Sequence, residues 1–195
     1  LITPDSERTM CTFLGIAGKI SPGDIDENFI KQSELIFLEG YLWDEGEPKA
    51  AFDKALNFAN KSAMSLSDKF CVDRHKKSFY HLVKNKLDVT FANEQEIKEL
   101  IDAKTFNDVI KFGRDLNKLL VITRSNKGSV AIKGSEVVEC KSQENLKIVD
   151  LTGAGDLFAA GFLHGYINKM SNGDCLQQGT QMASKVIQKI GARLN

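Results

Sequence analysis

Short apolar runs alternate with helical patterns along most of this chain, and this alternation limits the folds that it can form. Between the runs, apolar residues recur every three or four positions. The predicted strands are residues 9–16, 35–38, 62–66, 88–92 and 119–123. The predicted helices are residues 25–32, 47–61, 76–84, 94–101, 106–116, 155–169 and 175–190. This order predicts an open, mostly parallel sheet with helices on both faces, which is a three-layer α/β/α fold.

One apolar run, Leu119–Thr123, has no polar break, as expected for a central parallel strand that is covered on both faces. The period then changes to that of a β-hairpin, with strands at residues 129–133 and 136–140 around the turn Gly134-Ser135. The chain contains no repeat, no low-complexity tract and no linker. Residues 1–195 are therefore predicted to form a single domain.

The composition excludes several functional classes. The 195 residues include 26 Lys+Arg and 26 Asp+Glu, so neither a basic nucleic-acid surface nor an acidic tail is indicated. No apolar run reaches the roughly 18 residues that a membrane span needs. The 4 cysteines and 3 histidines show no zinc-binding spacing. We therefore expect a soluble, cytoplasmic protein with free thiols and no nucleic-acid or membrane partner.

The strongest local signal is the glycine loop, residues 150–156, which reads Asp-Leu-Thr-Gly-Ala-Gly-Asp and runs directly into an apolar helix. Small residues before a helix allow an anion to approach the first backbone N–H groups, where unsatisfied donors and the helix dipole converge. The loop is not a dinucleotide fingerprint, because the third glycine position holds Phe158, and the chain has no P-loop motif. We interpret it as an anion hole formed by Gly153, Ala154 and Gly155.

Asp156 lies in the first turn of that helix, where its carboxylate would repel a bound phosphate. A hydroxyl held between the two would explain this arrangement, because the carboxylate can accept the hydroxyl proton as the oxygen attacks phosphorus. The alternative is an ordinary acidic residue at a helix N-terminus, which stabilises the helix by a few tenths of a kcal/mol to about 1 kcal/mol. Taken alone, the residue leaves both interpretations open.

The glycine loop resembles the D-x-x-G-A-G-D signature of the PfkB family, the ribokinase-like kinases of carbohydrates and nucleosides. Asn93 and Glu96 match the family's N-x-x-E motif at the end of a strand, and residues 123–128 occupy the place of its T-x-G-x-x-G nucleotide loop. Gly191 and Ala192 match a recurrent Gly-Ala pair near the adenine pocket. The resemblance covers essentially the whole chain and implies a ribokinase-like α/β/α fold with the hairpin near the nucleotide site.

The resemblance also implies an ATP-dependent kinase that transfers the γ-phosphate to a hydroxymethyl group, with Mg²⁺ as a cofactor. Asp156 would be the general base, and the N–H groups of the anion hole would hold the transferring phosphate. Glu96 would act through the hydration shell of magnesium, which keeps several of its waters in proteins. The nucleotide-binding residues would be Asn93, Thr123, Arg124, Ser125 and Gly128, and Asp150 and Thr152 would hold a monovalent cation such as K⁺.

Several of these residues also fit structural roles. Asn93 and Glu96 fit a helix N-cap with its capping-box partner, and Asp150 fits a residue that caps a turn. Ser125 departs from the family, which has glycine at this position of the nucleotide loop. If the position needs a positive φ, serine there costs about 1 kcal/mol or more.

The acceptor is less well indicated. Residues 5–10, 39–43 and 67–72 resemble bacterial family members that are described as adenosine or sugar kinases. They favour adenosine or another ribose-containing acceptor, with fructose or a free pentose such as ribose as the alternative. Trp43 and Phe70 would flank a base, although core packing is the commoner role for such side chains. A catalytically silent nucleotide-binding protein on the same fold is a further alternative.

The N-terminal part of the family is missing from this chain, so we expect an incomplete lid that ends within residues 1–18. The predicted strand at residues 9–16 would then be an exposed edge. Exposed edges pair with other chains, which predicts aggregation or a homodimer through the lid.

Overall fold

A computed structural model describes residues 1–43 and 47–194, and its central feature is one sheet with the strand order β1-β2-β3-β4-β5-β6. The strands are β1 Ile36–Glu39, β2 Ser62–Ser65, β3 Val89–Asn93, β4 Leu119–Thr123, β5 Ser129–Lys133 and β6 Glu136–Cys140. The helices are α1 Glu27–Gln32, α2 Pro48–Phe58, α3 Lys69–Asn85, α4 Glu94–Ile101, α5 Phe106–Leu116, α6 Ala154–Ile167 and α7 Asn172–Val186.

The sheet is parallel on one side and antiparallel on the other. β1 pairs with β2, and β2 with β3, in parallel. Residues 124–128 join β4 to β5, and the turn Gly134-Ser135 joins β5 to β6. Connections this short permit only antiparallel pairing, since a parallel pair needs a crossover of a dozen or more residues. The predicted α/β class, the mostly parallel sheet and the hairpin are confirmed.

The first predicted strand is wrong. Residues 9–14 form no strand, and residues 15–19 form a short 3-10 helix that begins at Gly15 with a φ of 59°. A strand is held by hydrogen bonds to a neighbouring strand, and residues 9–16 pair with no strand in the described part of the chain. The edge-strand argument for self-association therefore loses its basis, and a homodimer stays a prediction.

The other corrections concern helix ends. α3 begins at Lys69 rather than at residue 76, because the carboxylate of Asp68 accepts a hydrogen bond from the Cys71 N–H and caps the helix there. α7 ends at Val186 rather than at residue 190, and the chain then turns towards the glycine loop. In contrast, α4 and α5 have the predicted bounds, and both begin with the reciprocal hydrogen bonds of a capping box.

Contacts divide the chain into two compact units. The larger unit comprises residues Leu14–Ile122 and Ile132–Val137, and it contains β1 to β3 with α1 to α5. Its core includes Trp43, whose ring lies edge-on to Phe52 at 5.3 Å and to Phe79 at 5.7 Å. Side chains such as Met64 and Leu100 are almost completely excluded from solvent. This unit contains β3, which ends at Asn93, and the first turn of α4, which carries Glu96.

The second unit comprises residues Leu1–Phe13, Thr123–Ala131 and the chain from Val138 onward. Here α6 and α7 pack so closely that only glycine fits at two contact positions. A Cβ atom at Gly161 would lie 2.7 Å from the Gln178 carbonyl oxygen, and a Cβ atom at Gly179 would lie 2.8 Å from the Phe158 carbonyl oxygen. Phe162 is fully buried. This unit contains both the glycine loop and the nucleotide loop.

Candidate active site

The glycine loop leads into α6 and leaves several backbone N–H groups without an acceptor. Gly153 is the N-cap residue at a φ of 79°, in the left-handed region, and no side chain caps the helix. The Ala154 N–H donates to the Leu151 carbonyl oxygen at 3.3 Å. The N–H groups of Gly153, Gly155 and Asp156 donate to no backbone or side-chain acceptor within residues 1–43 and 47–194. Of the predicted anion-hole donors, the N–H groups of Gly153 and Gly155 are therefore free and that of Ala154 is paired. Free donors at the positive end of the helix dipole suit an anion.

Glycine is needed at one position of the loop and leaves open space at another. A Cβ atom at Gly153 would lie 2.7 Å from the Ala192 Cβ and 2.8 Å from the Ala192 Cα. A Cβ atom at Gly155 would have no neighbour within 4 Å. Asp156 follows as the third helical residue, and it is exposed. The carboxylate of Asp156 is therefore accessible at the end of the helix that favours negative charge.

Asp150, at the start of the loop, is buried and accepts three hydrogen bonds. Its Oδ1 accepts from the Thr152 N–H at 2.9 Å and from the Thr152 hydroxyl at 2.7 Å. Its Oδ2 accepts from the Gly191 N–H at 2.8 Å. The hydrogen bonds from the Thr152 hydroxyl and from the Gly191 amide lower the pKa of Asp150, so the carboxylate is ionised at neutral pH.

The nucleotide loop, residues 123–128, is a closed turn between β4 and β5. The Arg124 N–H donates to the Gly128 carbonyl oxygen at 2.8 Å, and the Gly128 N–H donates to the Ser125 carbonyl oxygen at 3.0 Å. Gly128 has a φ of 85°, and a Cβ atom there would lie 2.0 Å from the Cys140 carbonyl oxygen. Ser125 has a φ of 53°. The positive φ considered from the sequence is therefore present at this serine.

Asn93 and Glu96 form a capping box at the start of α4. The Asn93 N–H donates to Glu96 Oε2 at 2.8 Å, and the Glu96 N–H donates to Asn93 Oδ1 at 2.9 Å. The structural role that the sequence suggested for this pair is thus present. Asn93 is exposed, whereas Glu96 is only 5% exposed.

The burial of Glu96 makes it an unusual carboxylate. Burial, together with the negative charges of Asp68 and Glu39, raises the pKa of Glu96 to about 7 against the opposing hydrogen bonds from Asn93. Glu39 is the last residue of β1, and Asp68 and Glu96 lie shortly after the ends of β2 and β3. We refer to these three carboxylates as the acidic cluster. The cluster concentrates negative charge at the carboxyl ends of the parallel strands, where α/β sheets bind ligands.

Ser67 organises one side of this cluster and was not singled out by sequence reasoning. Its hydroxyl donates to Glu39 Oε1 at 3.0 Å and accepts from the Tyr41 N–H at 3.1 Å. Its φ of 74° is rare for a residue other than glycine. Backbone strain of this kind concentrates at functional sites. Sequence reasoning also missed Glu39 and Asp68, although their position at or shortly after the carboxyl ends of strands was a usable signal.

The two aromatic residues considered for base stacking have different environments. Trp43 is 6% exposed and packs in the core of the larger unit, which is the commoner role that the sequence allowed. Phe70 is 73% exposed on the first turn of α3. Trp43 is therefore a core residue, whereas Phe70 remains accessible.

Among residues 1–43 and 47–194, no helix has the length and apolar character that crossing a membrane requires. In the same part of the chain, no three His, Cys, Asp or Glu side chains are arranged to hold a metal ion directly.

Comparison with known proteins identifies the family. Residues 1–195 match the pfkB family carbohydrate kinases. The chain belongs to this family. The family membership agrees with the glycine loop, the capping pair Asn93 and Glu96, and the mostly parallel sheet.

Relatives of this pfkB family chain include nucleoside kinases. Over 112 residues it is 34% identical to the cytidine kinase of Thermococcus kodakarensis, which covers 55% of this chain and 39% of that protein. The adenosine kinase structure from Sinorhizobium meliloti is 38% identical, with a TM-score of 0.94, and the match covers 99% of this chain and 61% of that one. A protein from E. coli that was solved with ATP and Mg²⁺ has the same fold, with 18% identity, a TM-score of 0.80, and coverage of 88% and 58%. The chain thus spans less than two thirds of each of these proteins.

Proposed function

We propose that the protein is an ATP- and Mg²⁺-dependent kinase that phosphorylates a hydroxymethyl group, with an adenosine-like nucleoside as the preferred acceptor. The observation that carries this proposal is the start of α6, where unpaired backbone donors, among them the N–H groups of Gly153 and Gly155, occur with the exposed carboxylate of Asp156. Donors for a phosphoryl group and a base for a hydroxyl are the two elements that phosphoryl transfer needs from a protein.

The proposed reaction uses the glycine loop as follows. Asp156 accepts the proton of the acceptor hydroxyl while its oxygen forms a bond to the γ-phosphorus. The bond from that phosphorus to the bridging oxygen breaks, and the electron pair leaves with ADP. The N–H groups at the start of α6 stabilise the negative charge that spreads over the transferring phosphoryl oxygens. General-base catalysis of this kind contributes about 10²–10⁴-fold in rate.

Magnesium, when bound with ATP, neutralises charge on the phosphate oxygens. The residues of the larger unit fit this ion, because Glu96 is a buried carboxylate in the field of two others. Magnesium prefers oxygen ligands and retains waters. Since the described residues offer no direct three-ligand site, Glu96 is proposed to hold the hydration shell rather than the ion. Asn93, exposed at the same helix start, is proposed to lie near the phosphates.

The nucleotide is proposed to lie along residues 123–128, with Thr123, Arg124, Ser125 and Gly128 as its contacts. The closed backbone of this loop and the tight approach of Gly128 to Cys140 support a preformed surface. Activation by K⁺ through Asp150 and Thr152 stays a prediction from the family resemblance. A cytoplasmic location and a homodimer through the lid stay predictions as well.

We favour a nucleoside acceptor because an adenosine kinase and a cytidine kinase are among the relatives that are at least 30% identical. A fructose- or ribose-type sugar is the second candidate, because the matching family is that of carbohydrate kinases. A catalytically silent nucleotide-binding protein is the outcome if ATP binds and no acceptor is phosphorylated.

The test is ADP release from ATP and Mg²⁺ by the complete gene product with adenosine, cytidine, ribose and fructose as acceptors. Asp156→Asn should reduce kcat about 10²–10⁴-fold without abolishing ATP binding. Asp174→Asn is a matched control, because Asp174 is also an exposed aspartate at the third position of a helix, in α7. Both variants lose a helix-dipole interaction, and Asp174→Asn also changes the acceptor of the Ser171 hydroxyl at 2.6 Å. Only Asp156→Asn should lose turnover. Equal turnover in both variants would contradict the assignment of the base.

A further inference from the structure

The buried carboxylate of Asp150 links two parts of the chain that are 41 positions apart. One oxygen holds both the N–H and the hydroxyl of Thr152, directly before Gly153. The other oxygen holds the N–H of Gly191, in the turn that follows α7. Asp150 is 1% exposed, so these hydrogen bonds are shielded from water. A buried carboxylate with three charge-assisted hydrogen bonds is a strong local constraint.

The turn after α7, residues 187–192, holds the glycine loop at further points, and we call it the C-terminal turn. The Ile187 carbonyl oxygen accepts from the Val149 N–H at 2.8 Å and from the Asp150 N–H at 3.3 Å. At the other end of the turn, Ala192 lies so close to Gly153 that a Cβ atom at Gly153 would be 2.7 Å from the Ala192 Cβ. The backbone immediately before the free donors of α6 is therefore fixed from the C-terminal turn.

From this geometry we propose that Asp150 is a positioning residue. It sets the direction of the Gly155 and Asp156 N–H groups by locking Thr152 and Gly153 to the C-terminal turn, and this role rests on the proposed phosphoryl transfer. Misplacing a catalytic group by about 1 Å can reduce a rate about 10²-fold. Gly191 supports the lock through its φ of 90°, which directs its N–H towards Asp150.

The proposal differs from the monovalent-cation role that the family resemblance suggested for Asp150 and Thr152. A carboxylate offers about four acceptor positions, and protein donors occupy three of those of Asp150. The Thr152 hydroxyl donates its proton to Asp150. The link between the glycine loop and the C-terminal turn is thus made by hydrogen bonds of the chain itself, and it needs no bound cation.

The experiment compares a ground-state ligand with a mimic of the transferring phosphoryl group. The complete gene product is titrated with MgADP alone, and with MgADP, aluminium fluoride and the acceptor. Asp150→Asn should weaken the fluoride complex at least thirtyfold while changing MgADP affinity less than threefold, at every K⁺ concentration. Thr152→Val keeps the N–H and the side-chain shape, and it should weaken the fluoride complex less than Asp150→Asn does. This second variant preserves the test if Asp150→Asn does not fold.

Hydrogen exchange of the Gly191 amide gives a readout that does not depend on catalysis. It should be slow in the native protein and at least tenfold faster in Asp150→Asn. An equal loss of MgADP and fluoride affinity, unchanged Gly191 exchange, or recovery of the variant by added K⁺ would each overturn the positioning role. If the native protein forms no fluoride complex, the proposed kinase function fails, and the Gly191 exchange rate still decides whether Asp150 holds the C-terminal turn.

Discussion

The glycine loop and the acidic cluster differ in the part of the residue that does the chemistry. At the glycine loop, backbone N–H groups are exposed by a left-handed Gly153 and by the absence of a capping side chain. At the acidic cluster, side-chain carboxylates lie at or shortly after the ends of three parallel strands, and Glu96 is buried among them. The first site depends on backbone conformation and the second on the cost of buried charge. Substitutions should therefore affect the stability of the two sites in opposite directions.

The largest effect is expected from Gly153→Ala. The new methyl group would meet Ala192 at 2.7 Å, and alanine disfavours a φ of 79°. The left-handed backbone costs about 1–2 kcal/mol and overpacking about 1–3 kcal/mol, so the free energy of unfolding should fall by about 2–5 kcal/mol. Urea unfolding of the purified variant measures this loss, and the transferase rate should fall with it.

Gly155→Ala is the matched control for that change. Gly155 is a helical residue with open space around a Cβ atom, so alanine should leave stability unchanged or raise it by up to about 1 kcal/mol. Equal stability losses at positions 153 and 155 would show that the C-terminal turn does not hold the loop.

The next largest effect is expected from Glu96→Gln, which should raise the free energy of unfolding above pH 7, whereas Gly153→Ala lowers it. The pKa of Glu96 is about 7 in the folded protein against an ordinary 4.5, so the folded state binds the proton more tightly than the unfolded state. Its contribution to stability is complete below pH 4.5 and is lost as the pH rises to about 7, by up to about 3 kcal/mol. Glu96→Gln should therefore be more stable than the native protein above pH 7, while its activity with Mg²⁺ falls.

Thermal unfolding between pH 4 and pH 8 measures this effect. Glu94→Gln is the control, because Glu94 begins the same helix and pairs with Lys98 at 2.7 Å. Losing that pair should cost less than about 1 kcal/mol and give no gain above pH 7. A Glu96→Gln protein that is less stable than the native one at pH 8 would mean that the capping box outweighs the buried charge.

Sequence reasoning succeeded where a local signal defines the structure. The bounds of α4, α5 and β4 to β6 follow from caps, a turn and apolar periodicity, all of which act within a few residues. Asp150 to Asp156 was recognisable because the helix N-terminus and its small residues are contiguous in the chain. The contact between Asp150 and Gly191 was not, because nothing in the spacing of two residues 41 positions apart predicts a hydrogen bond.

Contacts between residues far apart in the chain also explain the wrong strand at residues 9–16 and the failure to single out Ser67. Residues 9–16 have the composition of a strand, but a strand exists only where a partner strand supplies its hydrogen bonds. Ser67 is an ordinary residue in the sequence, and its contacts with Glu39 and Tyr41 arise only when β1 and β2 lie side by side. Long-range pairing and buried charge are thus the properties that pattern analysis of this chain did not reach.

The smallest effect is expected from Ser125→Gly, which tests whether the nucleotide loop, like the glycine loop, depends on backbone conformation. Ser125 has a φ of 53°, where serine is disfavoured by about 1–2 kcal/mol and glycine is not. Replacing serine by glycine removes this cost, but glycine loses more conformational entropy on folding, which offsets about 0.5–1 kcal/mol of the stabilisation. Ser125→Gly should therefore raise the free energy of unfolding by about 0.5–1 kcal/mol, as measured by urea unfolding, with the KM for ATP unchanged or lower.

Asn117→Gly is the matched control for Ser125→Gly. Asn117 ends α5 with a φ of 52°, but asparagine tolerates this conformation better than serine does. The gain at Asn117 should accordingly be smaller than the gain at Ser125. If Ser125→Gly instead destabilises the protein or weakens ATP binding, the serine side chain makes an interaction in the nucleotide loop that outweighs its backbone strain. The loop would then depend on a side chain, as the acidic cluster does, rather than on backbone conformation alone.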